Sequence, residues 1–218
     1  MNRVALESAK DPAAIELRMQ ERDTLVPKKR GAMQVEVTKK VFTVEEYYRM
    51  GEVGIIGPEE RTELIEGEII TMSPPGNRHI GACNRANTLF TEALGRRVIV
   101  SVQNPLLLDE HNEPQPDIIV LKPIPDFYAS RRATPKDASL VIEVAVSSLA
   151  FDRKVKLPHY ARCGVPEVWI EDLNHDLLLV FRDPSGSEYK TSLALRKGEK
   201  VSPVAFPETV FNVGDLLG

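Results

Sequence analysis

Three separated positions carry the first chemical suggestion in this chain. Glu143 stands inside the apolar run 140–146, LVIEVAV, where a lone ionised carboxylate is costly unless a cation, a metal or a donor compensates it. Asp117 follows Pro116 and precedes Ile118, Ile119, Val120 and Leu121, so a second acid stands at the mouth of another apolar strand. Asp152, Lys156 and Tyr160 fall at i, i+4 and i+8, which one helical face presents together. Two strand-borne acids and a lysine form a set that can hold a divalent metal through oxygen beside a phosphodiester. The ion would acidify a bound water, and the lysine would orient or deprotonate that water and offset charge on the phosphate.

Each of these residues also has a plain structural reading. Asp117 could be a strand-opening turn acid, and Glu143 half of a buried salt bridge to Arg153 or Arg131. Lys156 could be a helix-surface lysine paired with Asp152, with Lys154 as the alternative cation. Glu63, Glu66 and Glu68 crowd one short segment, and any of them could supply a third acid. His79 reads as a polar residue opening a long helix. Among other motifs, the four histidines show no HExxH or zinc spacing, and Ser147-Ser148 lacks a GxSxG context. No Walker or GxGxxG loop is present.

The elements that must position these side chains follow from punctuation and periodicity. Thr43 and Glu46 have capping-box spacing, which predicts a short helix over 44–50. Residues 51–58 read as a loop, 62–72 as a strand or hairpin, and 73–77 as a turn. Apolar residues recur at helical spacing over 79–97, closed by Gly95. Strands are expected at 98–102, 105–108, 116–121, 140–146, 165–171, 177–181 and 188–193, with a polar turn at 109–113. Pro158 requires the helix around 156–162 either to begin near Lys156 or to kink there. The class is therefore α/β, or mixed α+β, with a central sheet flanked by helices.

Composition bounds the rest. At 218 residues, 42% hydrophobic and 28% charged, one globular domain is expected with a tail. Residues 1–39 read as a leader, flexible or docked on a partner: 13–22 could form an amphipathic helix, followed by the basic run around Lys28, Lys29 and Arg30. Residues 40–218 read as the ordered domain. No stretch reaches the roughly 18 apolar residues of a membrane span, and two cysteines outside any CxxC pair point to a reduced cytoplasm. A net charge of −4 argues against a general nucleic-acid coat, though not against a nuclease with a local basic patch.

Taken together and in order, ELIEGEIITMSPPGNRH, PDIIV, LVIEVAVSS and DRKVKLPHYARCGVPEVWI resemble the Uma-two family of restriction-endonuclease-like proteins, from about Val41 to the C-terminus. The resemblance implies the PD-(D/E)xK nuclease core, with Asp117 as the motif aspartate and Glu143 as the second acid. The simple motif would place lysine at position 145, where this chain has Ala145. In this family the lysine is displaced onto the following helix, where Lys156 stands. Glu63 then matches the acid opening the ELIxGE motif, and His79 the histidine after SPP. The expectation is a cytoplasmic DNA endonuclease using Mg²⁺ or Mn²⁺ held by Asp117 and Glu143. Lys156 and Glu63 would complete the catalytic set, with His79, Asp152 and Tyr160 in support. A homodimer is expected on symmetry grounds. A non-catalytic nucleic-acid-binding or regulatory module that retains the fold, and a hydrolase of smaller phosphoesters, are the competing readings.

Overall fold

The structure, a computed structural model, describes residues 38–218. The expectations for the helix at 13–22 and the basic run lie outside the described residues. Helix α1 (Val44–Glu52) starts at the expected capping box: the Thr43 hydroxyl accepts from the Glu46 N–H, and the Glu46 carboxylate accepts from the Thr43 N–H. Strands β1 (Thr62–Ile65) and β2 (Glu68–Thr71) form a tight antiparallel hairpin. Its two turn residues, Glu66 and Gly67, both take left-handed backbone angles, φ 53° and 69°, as a two-residue hairpin loop of this hand requires. Glu63, Glu66 and Glu68 consequently do not share one strand. Glu63 lies on β1, Glu66 in the turn and Glu68 on β2.

Helix α2 (Asn77–Leu94) follows, and Gly95 caps it at positive φ. The main sheet has six strands in the order β3-β4-β5-β6-β7-β8. They are β3 (Ile99–Val102), β4 (Ile118–Leu121), β5 (Ala138–Ala145), β6 (Glu167–Asp172), β7 (Leu177–Ser185) and β8 (Glu188–Arg196). All neighbours pair antiparallel except β5 and β6, which are parallel. A parallel pair needs a crossover. Here it consists of α3 (Leu149–Phe151), a π-helical turn (Asp152–Lys156) and α4 (Leu157–Arg162). A short pair, β9 (Lys200–Val201) and β10 (Phe211–Asn212), and helix α5 (Val213–Leu217) complete the described chain.

The expected strand at 105–108 is not formed. Leu106 makes an isolated bridge to Ala133, and the segment is a loop buttress. Strands β4, β5 and β6 are buried along their whole length, the pattern of a sheet covered on both faces. On one face α2 and α5 bury Ala86, Phe90, Trp169 and Leu216, with the Phe90 and Phe211 rings stacked at 4.4 Å. On the other, Leu106, Tyr160 and Val165 close over Ile119, Val141 and Val168. This second face carries the chemistry.

Candidate active site

Strand register brings the two central acids together. Ile118 pairs with Ile142 across the antiparallel β4–β5 ladder, and one step further along the same register Asp117 stands opposite Glu143. Directly opposed residues on one face have neighbouring side chains. The Val144 N–H donates to Asp117 Oδ2 at 2.8 Å, and Gln103 Nε2 approaches the other oxygen at 3.4 Å. His79, on the first turn of α2, places Nε2 3.1 Å from the same carboxylate. Burial alone would raise the Asp117 pKa, but His79, the Val144 N–H and Lys156 outweigh it and hold it below the ordinary value.

Glu143 is only 3% exposed. Burial pushes its pKa up to about 8, against the pull of the neighbouring Lys156. The Tyr160 hydroxyl donates to Glu143 Oε1 at 2.6 Å, and Lys156 Nζ lies 3.4 Å from the same oxygen. Its partners are thus Lys156 and Tyr160. Arg131 instead pairs with Asp137, and Arg153 is exposed.

Lys156 is not a surface lysine, being 5% exposed. Its ammonium lies 3.1 Å from Glu63 Oε2 as well as 3.4 Å from Glu143. Burial would lower its pKa, but the charges of Glu143, Glu63 and Asp152 more than reverse this and raise it above the ordinary lysine value. The π turn is what aims it. The Leu157 N–H bonds the Asp152 carbonyl, five residues back, and Pro158 falls at the start of α4, where its missing N–H is tolerated. The helix therefore neither begins at Lys156 nor breaks there; it widens by one residue. Such bulges recur at functional sites. Lys154, the alternative cation, points to solvent.

Glu63 reaches the group from the β1–β2 hairpin, which hangs by paired backbone bonds between Leu64 and Glu113. The Gln115 N–H donates to Glu63 Oε2 at 3.0 Å. Asp152 is buried, accepts from the Ser148 hydroxyl at 2.7 Å, and is raised in pKa by burial. A cleft of about 400 Å³ is lined by Glu63, His79, Asp117, Glu143, Asp152 and Lys156, and Tyr160 lies buried beneath it. Six of the seven residues singled out from the sequence therefore line one cleft, and the seventh supports it. Arg61 and Arg78 also line it. Sequence reasoning passed over Gln103 and Gln115, which hold the acids, and Cys83, whose Sγ lies 3.5 Å from His79 Nδ1. The i, i+4 spacing of His79 and Cys83 on a helix was the available signal for the last.

The donor set suits a hard divalent cation: carboxylates on adjacent strands, facing an open cleft, in surroundings with more buried acids than buried cations. Comparison with known proteins agrees with the architecture. Residues 44–214 match the Uma2 family model, described as "Putative restriction endonuclease". A crystal structure from Anabaena variabilis, described as "a putative nuclease belonging to DUF820", superposes with a TM-score of 0.63 at 17% identity. That match covers 81% of this chain and 97% of the other. No curated protein matches in sequence.

Proposed function

Because this chain belongs to the Uma2 family, we propose that it is a Mg²⁺- or Mn²⁺-dependent DNA endonuclease that hydrolyses phosphodiester bonds in this cleft. The observation that carries the reading is the meeting of Asp117 and Glu143 across β4–β5 with the Lys156 ammonium on the same acid. Asp117 and Glu143 would hold the ion, which supplies a more acidic water and a polarised phosphate. Lys156 keeps its proton, so it acts as a fixed positive charge and hydrogen-bond donor, orienting the attacking water and balancing charge on the phosphate. The raised pKa argues against Lys156 as the base. Glu63 fixes the ammonium, and its remaining oxygen can hold a water of the ion. Tyr160 pins Glu143, and His79 pins Asp117.

Arg61 and Arg78, at the cleft, suit the phosphates of a strand entering it. Cutting both strands of a duplex from one such site calls for a second copy of the chain. The test is a panel of plasmid DNA, short oligonucleotides and a small phosphodiester, each with and without Mn²⁺. Metal-dependent cutting of DNA, lost in Asp117→Asn and in Glu143→Gln while both variants stay folded, is the expected result. Wild-type cutting by either variant would overturn the assignment. Cleavage of the small ester alone would identify a different hydrolase. DNA binding without cleavage of any substrate would identify a binding module.

A further inference from the structure

On the helix side of Asp117 lies a second group of donors that the proposed chemistry does not use as ligands. Cys83 stands one turn after His79 on α2, and the donor atoms of His79, Cys83 and Asp117 lie within 4.8 Å of one another. A thiol, an imidazole and a carboxylate form a donor set for a borderline transition metal, unlike the all-oxygen set formed with Glu143. A second, independent observation concerns Glu171, on β6. It is fully buried, and neither of its oxygens has a hydrogen-bond partner. It lies within electrostatic reach of both Cys83 and Asp117. Arg85 acts on it electrostatically but bonds neither oxygen, its Nε donating instead to the Leu216 carbonyl. Lys156 is engaged by Glu63 and Glu143 on the other side. Burial favours the protonated form of this carboxyl, and its two unpartnered oxygens are unsatisfied polar atoms buried within reach of the donor cluster.

The plain alternative is a closed relay, in which the thiol donates to Nδ1 and the Nε2–H donates to Asp117. It satisfies those three side chains but leaves both Glu171 oxygens without a hydrogen-bond partner. We infer that His79, Cys83 and Asp117 form a second cation site for a transition-metal ion such as Zn²⁺ or Co²⁺, with Asp117 shared between this site and the hard-ion site. On binding, the thiol gives up its S–H proton to solvent and becomes a thiolate ligand. One imidazole nitrogen ligates while the other keeps its proton, so one proton leaves for each ion bound. His79 and Asp117 line the cleft and give the ion its route in. The site requires neither Glu143 nor Lys156, and so stands or falls apart from the nuclease reading.

The metal-stripped full-length protein is titrated with Co²⁺. The expected result is a near-ultraviolet thiolate-to-cobalt band saturating at one equivalent. The band should vanish in Cys83→Ser and persist in Cys163→Ser and Glu143→Gln. No band, or a band surviving Cys83→Ser, overturns the proposal. Because Cys83 is buried in the core, zinc-edge X-ray absorption on the wild-type protein provides a measurement that needs no variant. One sulfur at about 2.3 Å among nitrogen and oxygen ligands is expected, and a shell without sulfur refutes the site. Mn²⁺-dependent DNA cutting measured on the same preparations shows separately whether the nuclease reading holds.

Discussion

At the scale of single residues, the cleft is a problem of buried charge. Lys156 is the cation shared by Glu63 and Glu143, so Lys156→Met leaves two buried acids facing each other. Denaturant titration of the metal-free variant at pH 8 should show a loss of about 3 kcal/mol, the usual cost of removing one partner from a buried pair. DNA cutting should fall below detection, whereas Lys154→Ala, altering an exposed lysine, should cut within about twofold of wild type. Glu171 gives a pH dependence with a definite sign. Burial pushes its pKa up to about 8 from an ordinary value of 4.5. The folded chain then keeps a proton that the unfolded chain sheds. Its contribution is full below the unfolded value, declines as pH rises toward about 8, and is flat above that. Stability of the metal-free protein should therefore drop between pH 5 and 8, with Glu143 adding to the fall in the same sense, and Glu171→Gln should make that slope shallower and be the more stable form at pH 8. A wild-type slope retained by the variant would show that Glu171 does not carry the proton.

At the scale of elements, the hairpin and the crossover helix aim what the sheet cannot. A Cβ on Gly67 would meet Val41 Cβ at 2.7 Å and the Phe42 backbone at 2.9 Å, at a φ of +69°. Gly67→Ala should therefore cost about 2 kcal/mol by thermal or denaturant unfolding. It should also weaken cutting more than a surface change of equal stability cost, because the hairpin carries Glu63. This division explains what the sequence made legible. Glu143 and Asp117 stood out because an acid in a continuous apolar strand breaks a strong pattern, and their meeting follows from strand period and register alone. The α2 stripe and the Thr43 capping box were equally local signals. The π turn was not legible, because helical periodicity presumes an even turn and Pro158 allowed more than one solution. Glu63 could be told from Glu66 and Glu68 by family resemblance, but not by periodicity. The Glu66–Gly67 turn splits the run into two strands, and the segment that holds Glu63 in place lies some fifty residues on, around Gln115. Glu171 escaped notice because WIED reads as a strand ending in ordinary polar residues, and only packing under α2 shows the acid to be buried.

At the scale of the whole molecule, the question is how a chain with 28 Lys and Arg against 32 Asp and Glu approaches a polyanion. The cleft itself holds four acids among its lining residues, and Lys156 is already engaged by two of them. Arg78 is tied to Asn174 and the Leu173 carbonyl, a tether that fixes its position while leaving its charge in place. Few phosphates can therefore be neutralised at once, with Arg61 and Arg78 as the leading contacts. Each neutralised phosphate contributes roughly −0.9 to the slope of log K against log salt on duplex DNA, so a slope near −2 is expected here. Fluorescence anisotropy with a labelled duplex and the non-cutting Glu143→Gln variant measures it across a salt series. Arg61→Ala should weaken binding and move the slope toward zero by about one. A slope of about −6 or steeper would mean that the nucleic acid lies along a basic surface elsewhere on the chain, and that the acid-lined cleft is not where the strand is held.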